Sequence, residues 1–260
     1  MSKIGNAFQN GKAFIGFLTA GDPSLDKTYE YIMTMEKAGA DLVEIGIPFS
    51  DPIAEGIVIQ EADLRALKGG TRLDDVFQLV EQVRQTSQIP LVFLTYMNPV
   101  FHYGVEKFFT RCQQAGIDGI IIPDMPFEER GECAAAAKNH DIDIISMIAP
   151  TSKERIQKIA QVGEGFLYIV SSLGVTGTRT EIKTNLKEII HTVKEVSSVP
   201  CAVGFGINTT EQAAAIVRDA DGVIVGSAIV KIIAQYGAEA APHIYEYVKA
   251  MKEAAMKGMK

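Results

Sequence analysis

One carboxylate lies inside a run of apolar residues. Glu44 stands in Leu-Val-Glu-Ile-Gly-Ile, residues 42–47, a segment whose other residues indicate a buried strand. Burial of a carboxylate without a partner is unfavourable, and the usual response is a raised pKa. A carboxyl group that titrates near pH 7 can both donate and accept a proton, as general acid–base catalysis requires. The alternative is a structural Glu paired with a buried Lys or Arg, but no strand segment carries such a residue, and the pattern favours a catalytic Glu44.

Two further carboxylates follow that segment directly. Asp51 and Glu55 lie in Pro-Phe-Ser-Asp-Pro-Ile-Ala-Glu-Gly, residues 48–56. Acidic loop residues are ordinarily solvated, and Asp-Pro by itself is typical of a turn. Their position immediately after the strand of Glu44 is what points to a second functional carboxylate.

Glycines recur where the last three apolar segments end. They stand at Gly174 and Gly177, at Gly204 and Gly206, and at Gly226 beside Ser227. Each glycine alone is typical of a turn, but backbone N–H groups at successive strand ends are suited to a phosphate, and Ser227 adds a hydroxyl donor. The third glycine of a dinucleotide fingerprint is missing, and there is no P-loop. The glycines therefore favour a phosphorylated substrate.

Other chemistries lack their residues. No strand segment carries a lysine for Schiff-base chemistry, and the four histidines are scattered along the chain. Cys112, Cys133 and Cys201 form no paired motif, so neither a zinc site nor a disulfide framework is indicated. We expect acid–base catalysis by carboxylates, without a metal or cofactor in this chain.

The elements that must position these residues alternate between strand and helix. Near-continuous apolar runs of this kind are typical of parallel strands covered on both faces by helices. Ser24, Thr71 and Ser152 precede helical patterns and are expected to be N-caps. The predicted strands are Phe14–Thr19, Leu42–Ile47, Leu91–Tyr96, Gly119–Ile122, Ile142–Ile148, Phe166–Val170, Cys201–Phe205 and Gly222–Val225.

Eight such units in 260 residues predict a single (β/α)8 TIM barrel over residues 1–260, with an N-terminal helix and an extended loop after strand two. A doubly wound open sheet is the alternative, because periodicity does not reveal closure. In a barrel, the loop over residues 50–70 would lie at the C-terminal, catalytic end of the strands.

The overall composition limits the partners. The chain is 47% hydrophobic with a formal net charge of −7, so no nucleic-acid or anionic membrane partner is expected. No apolar run approaches the length of a membrane span, and the first residues lack the apolar region of a secretory signal. We expect a cytoplasmic protein.

Several of these segments resemble the tryptophan synthase alpha subunit family. The most specific is Leu42 to Gly56, and the likeness continues over essentially the whole chain. The other matching segments are Gly16–Pro23, Thr95–Pro99, Ile122–Asp124, Gly174–Gly177, Gly204–Ile207 and Gly226–Val230.

The resemblance implies retro-aldol cleavage of indole-3-glycerol phosphate to indole and glyceraldehyde 3-phosphate. It implies that Glu44 is the general acid–base and that Glu55 is a second carboxylate stabilising positive charge at the indole N–H. It also implies an α2β2 heterotetramer with a beta subunit, which would hold pyridoxal phosphate. The substrate-binding residues it implies are Phe17, Leu94, Tyr96, Ile121, Tyr168 and Phe205 for indole, Gly177, Gly206, Gly226 and Ser227 for phosphate, and Thr176 on a closing loop.

Two residues depart from the family pattern. Glu55 stands where the family usually has Asp, and Ile57 where it usually has Pro. A carboxylate displaced by about 1 Å can cost on the order of a hundredfold in rate, and loss of Pro loosens the backbone. We expect an active enzyme with altered loop coupling. The alternatives are a stand-alone indole-releasing lyase, a weakly catalytic activator of a beta subunit, or another phosphate-binding barrel such as indole-3-glycerol-phosphate synthase or a phosphoribosyl isomerase; Glu44 and the following loop argue against the last.

Overall fold

The strands of this chain form one parallel sheet. The computed structural model describes residues 3–170 and 179–258, with only the backbone of residues 179–185. Within these residues the sheet has nine strands in the order β5-β4-β3-β2-β1-β9-β8-β7-β6. The strands are β1 Ala13–Thr19, β2 Leu42–Gly46, β3 Leu91–Leu94, β4 Gly119–Ile121, β5 Asp143–Ile144, β6 Ser146–Ile148, β7 Leu167–Val170, β8 Cys201–Gly204 and β9 Gly222–Val225.

Helices connect the strands and cover the outside of the sheet. Two short 3-10 helices, Phe127–Glu129 and Gly237–Glu239, accompany the α-helices. The α-helices are α1 Lys3–Asn6, α2 Leu25–Lys37, α3 Ile57–Lys68, α4 Leu73–Arg84, α5 Met97–Tyr103, α6 Val105–Ala115, α7 Gly131–Asn139, α8 Lys153–Gln161, α9 Arg179–Lys194, α10 Thr210–Ile216, α11 Ser227–Tyr236 and α12 Ala241–Lys257.

The sheet closes on itself through the segment predicted as the fifth strand. That segment is divided at Ile145: β5 pairs with β4, and β6 pairs with β7. The Ile145 N–H donates to the Ile120 carbonyl at 2.9 Å, so the segment keeps contact with β4 as it crosses to β7. Both ends of the sheet are therefore one stretch of chain, and the fold is the predicted (β/α)8 barrel and not an open sheet.

Alternate residues of each strand face the barrel interior or the helices. In β2, Leu42 belongs to the interior cluster with Ile15 and Ile121, whereas Val43 and Ile45 pack with the helices. Glu44 shares the parity of Leu42, so the strand directs it inward. The predicted N-terminal helix is α1, whose buried Ile4 belongs to the same interior cluster.

Two predicted N-caps are confirmed and one is wrong. The Ser24 and Ser152 side chains accept hydrogen bonds from the backbone N–H groups of Lys27 and Arg155. Thr71 is not an N-cap, because α4 begins at Leu73 and Arg72 occupies the cap position. A Cβ placed on Gly21, whose φ is +86°, would lie 2.9 Å from the Cβ of Thr71, so Thr71 packs against the loop after β1.

The extended connection after β2 is present as predicted. It comprises the loop over residues 47–56 and the twelve-residue helix α3. Some strands end earlier than predicted: β2 at Gly46, β3 at Leu94 and β8 at Gly204. Tyr96 and Phe205 therefore lie in loops at the mouth of the barrel. None of the helices in the described ranges is long and apolar enough to cross a membrane.

Candidate active site

A cavity of about 250 Å³ lies at the C-terminal ends of the strands. This is the end at which TIM barrels build their catalytic sites. The predicted site residues that line it come from several strands and the loops that follow them. They are Phe17, Glu44, Glu55, Leu94, Tyr168, Phe205, Gly206, Gly226 and Ser227.

Glu44 is buried in the apolar interior of the barrel and reaches this cavity. Its side chain is 1% exposed, and its Oε1 atom has no hydrogen-bond partner among the described residues. Burial raises the pKa of Glu44 from 4.5 to about 8. None of the ion pairs among the described residues involves Glu44, so the structure does not support the alternative of a buried ion pair. A carboxyl group with this pKa can exchange protons near neutral pH.

Glu55 reaches the same cavity from the loop that precedes α3. Its backbone carbonyl accepts a hydrogen bond of 2.7 Å from the Gln60 side chain, which ties the loop to the helix. The side chain is half-buried, and burial raises its pKa, while hydrogen bonding with Asp63 and Tyr96 opposes that rise. The site therefore contains two carboxyl groups in different surroundings: Glu44 lies in a mainly apolar one near the Tyr168 side chain, and Glu55 lies in a more polar one.

Asp63 is a buried carboxyl group beside Glu55 that the sequence reasoning missed. It is 3% exposed on α3, and the Thr19 hydroxyl donates to its Oδ1 atom at 3.4 Å. Burial, followed by the neighbouring charge of Glu55, raises its pKa to about 9. A signal was present, because Asp63 follows Ile59 by four residues on the buried face of an amphipathic helix.

Two predicted indole-pocket residues lie behind the cavity wall. Tyr96 is 1% exposed; its hydroxyl accepts a hydrogen bond of 3.0 Å from the Ala54 N–H. Its ring lies 5.3 Å from that of Phe49, measured between centroids. Ile121 is fully buried in the interior cluster. In this structure Tyr96 shapes the loop that carries Glu55, and Ile121 supports the cavity from below.

Aromatic and aliphatic side chains form the apolar wall. Phe17 packs closely on Gly46, where an added Cβ would lie 2.7 Å from the ring. Tyr168 packs in the same way on Gly204, with 2.6 Å from an added Cβ to its Cζ atom. Phe205 has a φ of 71°, a left-handed conformation that is unusual for a bulky residue and concentrates at functional sites. The Tyr168 and Phe205 rings lie 6.2 Å apart.

The other end of the cavity is suited to an anion. Gly206, Gly226 and Ser227 line it, and Ser227 is the first residue of α11, whose N-terminal N–H groups lie at this end. Lys231, which the sequence reasoning did not single out, follows Ser227 by one helical turn and also lines the cavity. It is the only Lys or Arg among the described lining residues. Thr176 and Gly177 lie outside the described residues.

Metal-binding clusters are not seen in the described part of the chain. No group of three or more His, Cys, Asp or Glu side chains there could hold a metal ion.

Comparisons with known proteins agree on one family. The family model for the tryptophan synthase alpha chain matches residues 5–258. The alpha chain from Lacticaseibacillus casei is 46% identical over 254 residues, covering 98% of this chain and 96% of that protein. The alpha subunit structure from Legionella pneumophila has a TM-score of 0.89 at 37% identity and covers 98% of each chain. A chain from a Pyrococcus furiosus structure, described as concerning mutual activation of the tryptophan synthase α2β2 complex, has a TM-score of 0.86 at 37% identity, covering 94% of this chain and 99% of that one. The chain therefore belongs to the tryptophan synthase alpha chain family.

Proposed function

We propose that this chain catalyses the alpha reaction of tryptophan synthase, the cleavage of indole-3-glycerol phosphate to indole and glyceraldehyde 3-phosphate. Its family makes it a lyase of tryptophan biosynthesis, and the retro-aldol cleavage of a carbon–carbon bond is the finer assignment proposed here. The observation that carries the proposal is one cavity with a buried, titratable Glu44 on its apolar wall and an anion-suited end formed by Gly206, Gly226 and Ser227.

Glu44 is the general acid and then the general base of this reaction. With a pKa of about 8 it is mostly protonated at pH 7, so it can first protonate the indole C3 atom. Its carboxylate then takes the proton of the adjacent glycerol hydroxyl as the carbon–carbon bond breaks. The electron pair of that bond returns to the indole ring, the glycerol fragment leaves as the aldehyde, and Glu44 is protonated again.

Glu55 stabilises the positive charge that C3 protonation creates. That charge is delocalised to the indole nitrogen, and a carboxylate near the N–H lowers the energy of the intermediate. Its location in the cavity wall, on a loop apart from the strand of Glu44, is consistent with this separate role.

The two ends of the cavity would bind different parts of the substrate. Phe17, Leu94, Tyr168 and Phe205 offer an apolar slot for the indole ring. The backbone N–H groups at the start of α11 and the Ser227 hydroxyl would bind the phosphate, with Lys231 adding a positive charge. Contacts from Thr176 and Gly177 remain predictions from the family resemblance.

The proposal includes assembly with a beta subunit. The Pyrococcus furiosus relative is described as part of an α2β2 complex. This chain exposes large apolar side chains on the loop that carries Glu55, at the start of α3 and on α5. Ile53 is 79% exposed, and Ile57 and Phe101 are each 72% exposed. Large apolar side chains that are exposed together in one patch mark protein–protein interfaces, and Ile53 and Ile57 are four residues apart. Pyridoxal phosphate would belong to the beta subunit, and no cofactor is assigned to this chain.

A cytoplasmic location is part of the same proposal. Cys112, Cys133 and Cys201 are free and buried, which suits a reducing compartment.

The direct test is product analysis with the purified protein. Indole-3-glycerol phosphate should yield indole and glyceraldehyde 3-phosphate in equal amounts, and a tryptophan synthase beta subunit should raise the rate. Ser227→Ala should raise KM more than it lowers kcat. High activity that does not respond to the beta subunit would instead indicate a stand-alone lyase. Tight binding of the beta subunit without any indole would indicate an activator.

A further inference from the structure

A second carboxyl group is buried directly against Glu55. The Asp63 and Glu55 carboxyl groups lie close enough to influence each other's pKa, and Asp63 is the more deeply buried of the two, at 3% exposure. The Oε2 atom of Glu55 is buried and receives no hydrogen bond from an N–H or O–H group in the described part of the chain. Two ionised carboxylates are both hydrogen-bond acceptors, so a hydrogen bond can form between them only if one of the two is protonated.

The surroundings determine which group holds that proton. Asp63 lies on α3, which packs against β1 and α11. The Thr19 hydroxyl of β1 approaches its Oδ1 atom, and the backbone N–H of Phe49 also interacts with its carboxyl group. The charged residue of α11 is Lys231, which lines the cavity. The nearest cation on its own helix is Arg65, which is already bound to Asp22 through two hydrogen bonds of 2.8 Å. Asp63 therefore faces the anion Glu55 and forms no ion pair with any described residue. Together with its burial, these conditions favour the neutral form over the opposing hydrogen bonds from Thr19 and Phe49.

Glu55 lies in the more polar position. It is half-buried at the cavity, and the Tyr96 hydroxyl also interacts with it. The charge on the pair is therefore expected to remain on Glu55, where the proposed reaction requires it. Tyr96 in turn faces Glu55, Asp63 and Asp124, all acidic, and burial raises its pKa, so it stays neutral beside the pair.

We propose that Asp63 is a positioning residue whose protonated carboxyl group donates a hydrogen bond to Glu55 and holds that carboxylate, ionised, at the place where it meets the substrate. Asp63 lies behind Glu55 and does not line the cavity. The proposal explains how a Glu, one methylene longer than the Asp usual in the family, keeps a defined position here. Its kinetic consequence rests on the proposed function, whereas its protonation state does not.

The first test measures protonation without any substrate. In protein labelled with 13C at side-chain carboxyl groups, NMR titration should show Asp63 neutral at pH 7, with its midpoint near 9. Asp63→Asn should remove that titration and assign it. Glu55→Gln should lower the Asp63 midpoint by roughly one pH unit or more, because a neighbouring negative charge is gone. An Asp63 that titrates below pH 5 in the wild-type protein would overturn the proposal, whatever the enzyme's activity.

The second test is a double-mutant cycle on indole release. Asp63→Leu, which keeps the side-chain size but has no donor, should lower kcat on the order of tenfold to a hundredfold, because Glu55 is then free to move. Asp63→Asn keeps an N–H donor and should recover most of the lost rate. The control is Glu61→Gln, which removes an exposed carboxylate from the same helix and should leave the rate unchanged.

Introducing Asp63→Leu into both the wild-type and the Glu55→Gln protein distinguishes a positioning role of Asp63 from a structural one. In a Glu55→Gln protein, Asp63→Leu should cause no further loss, since the charge that Asp63 positions is absent. An equal loss in both backgrounds would mean that Asp63 is only structural, and the proposal would fail. If the wild-type protein released no indole, the proposed function would fail on its own, and the titration would still decide the protonation of Asp63.

Discussion

Replacing Glu44 with Gln should change the stability of the fold in a pH-dependent way. The pKa of Glu44 is raised by burial from 4.5 to about 8, so folding favours its protonated form. Below pH 4.5 the group is protonated in both the folded and unfolded states and does not oppose folding. As the pH rises from 4.5 to 8 the unfolded state loses this proton first, and the wild-type protein loses stability.

The size of this stability change follows from the difference between the two pKa values. Between pH 4.5 and pH 7 there are 2.5 pH units, and at 1.36 kcal/mol per unit the wild-type protein loses about 3 kcal/mol relative to a variant without the titration. Gln has nearly the same shape and does not titrate, although its amide brings its own desolvation cost. That cost does not depend on pH, so it does not affect how the difference in the free energy of unfolding between the two proteins changes with pH.

Urea unfolding at several pH values measures this quantity. The free energy of unfolding of Glu44→Gln minus that of wild type should rise by about 3 kcal/mol between pH 4.5 and pH 7 and level off above pH 8. The other buried carboxyl groups are present in both proteins and cancel. A difference that stays constant with pH would show that Glu44 has an ordinary pKa, and the argument for its acid–base role would fail.

Four further outcomes are expected. The rate of indole release should fall as the pH rises through about 8, because Glu44 must start protonated; a flat profile from pH 6 to 9 would contradict this. Glu55→Asp should lower the rate of indole release about tenfold and alter activation by the beta subunit, since the shorter side chain moves away from Asp63; if both quantities were unchanged, the position of the carboxylate would not depend on the length of the Glu55 side chain. Lys231→Met should raise the KM for indole-3-glycerol phosphate roughly tenfold with little change in kcat, because the Lys231 charge attracts the phosphate; in steady-state kinetics, a wild-type KM that is the same at low and at high salt would contradict this. Ile57→Pro should stabilise the protein by about 0.4–1 kcal/mol in thermal unfolding, because Ile57 is the first residue of α3, where Pro is tolerated; destabilisation would mean that the backbone there does not suit Pro.

The barrel could be predicted because its signals are local. Each apolar run marks a strand buried on both faces, and Glu44 is conspicuous because its strand neighbours are apolar. Residues in the connections that follow strands, such as Glu55 and Ser227, reach the cavity because parallel strands bring their C-terminal ends to one place.

Other features depend on contacts that periodicity does not show. The break at Ile145 is required by barrel closure, where one stretch of chain must pair with β4 and then with β7. Tyr96 follows the end of β3, yet it does not line the cavity: its ring packs against Phe49 and its hydroxyl contacts the loop that carries Glu55. Neither outcome follows from strand pattern alone.

Asp63 and Lys231 were missed for a different reason. Both lie within helices, whereas the predicted site residues lie in strands, at strand ends or in the loops that follow. Asp63 stands on the apolar face of α3, the same kind of anomaly as Glu44, and Lys231 follows Ser227 by four residues. Helices that begin at the mouth of a barrel place their first two turns at the cavity or beside the loops that line it, so an unusual charged residue there is a signal for both.

The central claim is that Glu44 carries the acid–base chemistry of indole-3-glycerol phosphate cleavage. The most direct measurement is kcat for indole release at pH 7 by the wild-type protein and by Glu44→Gln, each saturated with a beta subunit. The account predicts a loss of about a hundredfold to ten-thousandfold in kcat, with beta-subunit binding retained. A Glu44→Gln protein that releases indole at close to the wild-type rate would contradict it.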